Sequence, residues 1–254
     1  MFCLLESYSM NCGMPKTGRA LCALLTFLWL ARAQPAAAEH HGDFTYSTDG
    51  VAVTIRGYSG LGGAVAIPNT IAGLPVTRLG RGAFANCTNL ASVSIPDSVT
   101  RIGEFTFAIC SGLTNVTIPD GVSEIGDSAF AYCSSLRGVA IPNGVASIGT
   151  FAFSWCTNLT SVTIPNLVTT IMEGTFHACC NLTRVAIPTR ATVIGDEAFS
   201  RCTSLVDVPL PESVRDIGES AFADCYRLSS MAIPSTLTSI GWRAFLNCTN
   251  LTSV

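Results

Sequence analysis

Apolar positions along this chain fall into three alternating rhythms. In Leu136-x-x-Val139-x-Ile141-Pro142, Val and Ile alternate with small polar residues. A period of two over β-branched residues predicts a short strand with one buried face. Pro142 ends it, because proline cannot donate to a sheet ladder. Val145-x-x-Ile148-Gly149 follows as a second short extended piece. In Ala129-Phe130-x-x-Cys133-x-x-Leu136 the apolar groups are spaced by three, which predicts a helical turn. The cycle then starts again.

It recurs with a fixed step of 23 residues. Phenylalanine stands at 84, 107, 130, 153, 176, 199, 222 and 245; leucine follows six residues later and cysteine three residues later in each copy. One copy buries too little to fold alone, so the units are expected to stack and to align like residues in continuous ladders. Strands of adjacent coils would lie about 4.8 Å apart, giving eight coils a rise of roughly 40 Å. The expected fold is an α/β solenoid, a right-handed leucine-rich-repeat superhelix of short parallel strands and short helical turns, over residues 67–254. Residues 39–66 are expected to form a capping β-hairpin: Phe44, Tyr46, Val51, Val53 and Ile55 alternate around Asp49-Gly50, read as a tight turn with both residues at positive φ.

The rhythm breaks in a few places. Glycine stands at 80, 103, 126, 149, 195, 218 and 241, but Met172 takes its place once. Either the column reflects close packing, or its glycines need positive φ and the coil around Met172 is distorted. Ala191 replaces the valine of its column, and Cys180 lies out of register beside Cys179, where an outward-facing thiol is expected.

Residues 1–38 read as an N-terminal extension and secretory signal peptide. Lys16 and Arg19 precede the apolar run from Ala20 to Ala31, and Ala31-Arg32-Ala33 and Ala36-Ala37-Ala38 offer small-residue cleavage sites. The run is too short to span a bilayer comfortably. Cleavage after Ala38 leaves 11 arginines against 16 acidic residues, a net charge of −5, and no lysine. That balance speaks against nucleic acid as a partner, and the mature chain carries no expected membrane span.

Nine cysteines then remain, eight of them in strict period. Disulfide frameworks are irregular, so the periodic cysteines are read as small apolar core residues, with a disulfide or metal ladder as the alternative. No CxxC, HExxH, nucleophile elbow, P-loop or GxGxxG occurs. No cofactor, metal or catalytic residue is expected, and the chain is read as a non-enzyme.

The phrases Ile-Gly-Asp-Ser-Ala-Phe-Ala-Tyr-Cys-Ser-Ser-Leu (125–136) and Val-Thr-Ile-Pro (162–165) resemble the BspA-type (Treponema pallidum-type) leucine-rich repeats of bacterial surface proteins. Phe44-Thr-Tyr46 and Gly57-Tyr58 resemble the segment that often precedes them. The resemblance covers about residues 43–254. It implies a secreted or cell-surface location and attachment to a protein on a host or neighbouring cell, with no catalytic residues carried over.

The strand positions expected to face outward are mostly small and neutral, with no Trp or Tyr, one arginine at Arg184 and one acid at Asp207. Interface hot spots favour Trp, Tyr and Arg. The candidate partner-binding residues are therefore Tyr132, Trp155, Arg184, Tyr226, Arg227, Trp242 and Arg243; those beside the Phe and Cys columns could instead pack against neighbouring coils. An alternative role is a structural spacer presenting a further C-terminal domain, because the chain stops at Val254 in mid-strand without a capping segment.

Overall fold

The structure, a computed structural model, describes residues 38–252. The expected signal peptide lies outside the described residues. The strands are β1 (Glu39–His41), β2 (Phe44–Thr48), β3 (Val53–Tyr58), β4 (Gly63–Ala66), β5 (Thr70–Ile71), β6 (Leu74–Leu79) and β7 (Leu90–Ser94) in the opening part. Then come β8 (Arg101–Ile102), β9 (Asn115–Thr117), β10 (Glu124–Ile125), β11 (Gly138–Ala140), β12 (Ser147–Ile148), β13 (Ser161–Thr163), β14 (Thr170–Ile171), β15 (Arg184–Ala186), β16 (Val193–Ile194), β17 (Asp216–Ile217) and β18 (Ser239–Ile240). From β7 to β16, each coil supplies one strand to each of two sides of a solenoid of about eight coils.

On one side, β4, β7, β9, β11, β13 and β15 pair in parallel, and the stack continues as isolated bridges Arg184↔Asp207 and Asp207↔Ser230. Pro209 occupies this side's next outward position and offers no amide, which explains why the strand thins to a bridge. The register advances by 23 residues, as in Val139↔Val162 and Val162↔Val185. The second side begins with antiparallel β1, β2 and β3, continues in parallel through β6, β8, β10 and β12, and resumes as β14, β16, β17 and β18.

The hairpin turn differs from expectation. Only Gly50 has positive φ, and Asp49 instead accepts hydrogen bonds from the amides of Val51 and Ala52 through Oδ1. Those two amides hold the Asp49 carboxyl below its ordinary value.

The third side corrects the expected fold class. Among the described residues there is no helix, so the molecule is a β-solenoid and not an α/β one. In a helix the amides beyond the first turn bond within their own segment. Here the donors divide. The amides of Ala129, Ala131 and Cys133 bond three residues back, whereas those of Ser128, Phe130 and Tyr132 bond to Thr150, Ala152 and Ser154 of the next coil. Two left-handed residues per coil turn the backbone so that this is possible: φ is +52° at Ser128 and +61° at Tyr132. The same two columns are left-handed in the other coils, with glycine at Gly82 and Gly174 and bulkier residues elsewhere, such as Phe105, Ile109 and Trp155. A left-handed residue costs roughly 1–2 kcal/mol, and the bond its amide sends to the neighbouring coil helps to offset this.

The core is a set of ladders. The eight phenylalanine rings from Phe84 to Phe245 stack with centroids 5.1–5.7 Å apart. Tyr58 stacks on Phe84 at 5.2 Å and Phe44 meets the same ring edge-on, which covers the first coil's end of the ladder.

Candidate functional site

The cysteine column is the first place to look for chemistry. The structure shows no disulfide between the nine described cysteines. Each periodic thiol from Cys110 to Cys248 donates to the carbonyl of the phenylalanine in the preceding coil, as Cys133 Sγ does to Phe107 O at 3.2 Å. The repeat thus uses cysteine as a small apolar group that also satisfies a buried carbonyl, a role the spacing alone did not reveal. Burial pushes these thiols up, Cys156 to about 12. Cys180 is half-buried, and so are Cys87 and Cys248 at the ends of the column. In a chain starting at Glu39, a thiol reagent under native conditions is expected to modify Cys180, Cys87 and Cys248. The six buried thiols react only after unfolding. Native modification of Cys133 or Cys156, located by peptide mass spectrometry, would contradict the ladder.

Among the described residues, no group of three or more His, Cys, Asp or Glu side chains is placed to hold a metal. No described helix is long and apolar enough to cross a membrane. Two shallow depressions lie on the described surface. One runs over Asp196, Asp216, Glu219 and Trp242; the other lies on the first side over Ala64, Ser92, Asn115 and Thr117.

The candidate partner-binding residues fall into different settings. Tyr132 and Trp155 are the left-handed residues of successive coils, and their rings stack 5.7 Å apart and nearly parallel. Trp155 is buried, and His177 packs tilted against it at 6.0 Å. His177 Nδ1 lies 3.2 Å from Glu197 Oε2, and this partner holds the Glu197 carboxyl below its ordinary value. Further along, Arg201 Nε sits 3.8 Å from Asp224 Oδ2, and Asn247 and Tyr226 donate to Asp224 Oδ1. A row of side chains therefore engages itself from coil to coil along this face, and Tyr132 and Trp155 belong to it.

The others present more surface. Trp242 is 66% exposed, with the Arg243 guanidinium 3.8 Å over its ring. Tyr226 is 44% exposed, and Arg227 beside it is exposed. Arg184 is exposed on the strand side, in β15, away from the turn face that carries Trp242. The structure thus brings Trp242 and Arg243 into contact and leaves Arg184 apart. Ile240 and Leu246 are also exposed near Trp242. Their counterparts Ile217 and Ala223 in the preceding coil are buried, so the exposure belongs to the last described coil and not to the column.

A stack of coils with short parallel strands on two sides, a turn-lined third face and a leucine–phenylalanine–cysteine core per 23 residues is a leucine-rich-repeat solenoid. The family model of the BspA type Leucine rich repeat region (6 copies) matches residues 77–205 and 169–254. The chain belongs to the BspA-type leucine-rich-repeat family. Among solved structures, a Treponema pallidum leucine-rich repeat protein is 38% identical; the match covers 78% of this chain and 91% of that one, with a TM-score of 0.71. A leucine-rich repeat protein from Eubacterium ventriosum is 25% identical over 72% of this chain and 58% of that one, with a TM-score of 0.58. No curated protein matches.

Proposed function

We propose that the array is a secreted or cell-surface adhesion module that binds a protein on a host or neighbouring cell. Leucine-rich-repeat folds suit protein–protein interaction, because a rigid stack presents a long row of variable side chains. The observation that carries the reading is the division of labour within each coil. The letters that repeat, Ile, Phe, Cys, Leu and Val, are buried from coil to coil. Several letters that change between copies, Tyr226, Arg227, Trp242, Arg243 and Arg184, are exposed and of the residue types that dominate interface energetics. The signal-like N-terminus supports export. The acidic balance of the mature chain favours a protein partner over nucleic acid. On this reading the module is not an enzyme and needs no cofactor.

The test is a cell-surface binding assay. Labelled chain from residue 39 onward is expected to bind host or neighbouring cells saturably, and protease treatment of those cells should abolish the signal. Absence of saturable binding, or binding that survives the protease, overturns the reading.

A further inference from the structure

The second side of the solenoid is interrupted once, and the interruption has a sequence cause. Along this side the amide of each column glycine donates to the carbonyl 24 or 25 residues back: Gly80 to Ile55, Gly103 to Leu79, Gly126 to Ile102, Gly149 to Ile125, and again Gly195 to Ile171, Gly218 to Ile194 and Gly241 to Ile217. Three residues earlier a second bond repeats, as in Ala146 to Ser123 and Thr192 to Thr169. Between β12 and β14 neither bond is formed. Met172 does not reach Ile148 and Thr169 does not reach Ala146, and the ladder splits into two separate sheets.

Met172 is where the glycine column fails. These glycines have ordinary negative φ, so left-handed backbone is not what they supply. They supply closeness. A Cβ on Gly103 would lie 2.7 Å from Leu79 O, and one on Gly126 would lie 2.7 Å from Glu104 N. Met172 carries such a Cβ, so its coil cannot close on the one before it. The next coil closes again because Gly195 lacks a Cβ and lies against the Met172 backbone. Leu167 stands in the same coil, but its column carries a Cβ elsewhere, at Ser98, Arg190, Ser213 and Thr236, in coils that close, so Met172 marks the break. Both side chains stay partly in solvent, Met172 at 38% and Leu167 at 45% exposure. The other two sides remain joined across the same boundary. Strands β11 and β13 keep their register, and the amides of Phe151, Phe153 and Trp155 bond to Glu173, Thr175 and His177.

We propose that the boundary between β12 and β14 is a built-in hinge, at which the solenoid opens on one side and divides into two cooperative blocks, residues 39–156 and 161–252. In a linear array, stability is a sum of coil and interface terms, so the weakest interface is where partial opening occurs. The hinge confers compliance on an otherwise continuous rod and lets one block open while the other stays folded.

Native-state hydrogen exchange on the full chain, read at single amides, tests this. Thr169 and Met172 are expected to exchange about 100-fold faster or more than their counterparts Thr192 and Gly195. In Met172→Gly the two slow amides are restored at positions 169 and 172, while protection elsewhere stays as in the parent. Equal protection of Thr169 and Thr192, and of Met172 and Gly195, in the parent chain overturns the hinge without need of the variant. A folded Met172→Gly whose exchange at 169 and 172 remains fast overturns the assigned cause. Neither readout depends on any binding partner, so the hinge and the adhesion reading fail separately.

Discussion

Phe153→Ala is expected to destabilise the array by about 4 kcal/mol, the range for emptying a fully buried aromatic site. Phe153 has no exposed surface, and its ring is stacked between Phe130 at 5.2 Å and Phe176 at 5.7 Å. The neighbouring rings are held by their own coils, bonded to that of Phe153 on three sides toward Phe130 and on two toward Phe176, so they do not collapse into the space. Truncation thus weakens two coil–coil interfaces at once. Phe245, half-buried and stacked only on Phe222 among the ladder rings, should lose much less on the same change. Urea unfolding followed by circular dichroism measures both variants. Equal, small losses for Phe153→Ala and Phe245→Ala would contradict a ladder in which each ring supports its neighbours.

Gly126→Ala is expected to cost about 3 kcal/mol, combining overpacking with the loss of an inter-coil bond. The new Cβ would meet backbone, 2.7 Å from Glu104 N and 2.8 Å from the carbonyl carbon of Gly103, which cannot swing aside as a side chain would. Gly126 also donates to Ile102, a bond that must lengthen or break if the coils part. Gly138 is the internal control. It has negative φ and open space where a Cβ would go, so Gly138→Ala should be neutral or slightly stabilising. The two substitutions are chemically the same. Similar unfolding midpoints for both would show that the glycine column is not a close-packing requirement.

The strands were readable because their signal is local: Val139 and Ile141, or Val162 and Ile164, alternate with small residues and end at proline. The 23-residue register was readable because a stacked array repeats its core letters at the same step. The turn side was misread for a physical reason. Phe130, Cys133 and Leu136 are spaced by three as on a helix, but spacing reports only which side chains face inward. It does not report where Ser128, Phe130 and Tyr132 send their amides, and those go to the next coil. Left-handed backbone at Ile109 or Trp155 was equally invisible, because propensity argues for glycine or asparagine there and the stack overrides it. The glycine column posed a choice that the sequence left open, and the negative φ at Gly103 and Gly126 decides it for close packing. For the candidate surface, residue type pointed to Tyr132 and Trp155 as well as to Trp242 and Arg243. Burial separates them, and burial of a bulky turn residue depends on the coil beside it: Trp155 has Tyr132 and His177 against it, whereas Trp242 keeps two-thirds of its surface.

The central claim is that repeated letters build the array while exposed variable letters bind. It is tested most directly by measuring saturable cell-surface binding of the parent chain against a variant with Tyr226, Arg227, Trp242 and Arg243 changed to serine. Unfolding of the variant should match the parent closely, since these side chains sit outside the buried ladders. The account predicts an unchanged unfolding midpoint with binding weakened at least tenfold. Undiminished binding by a variant of equal stability would contradict it.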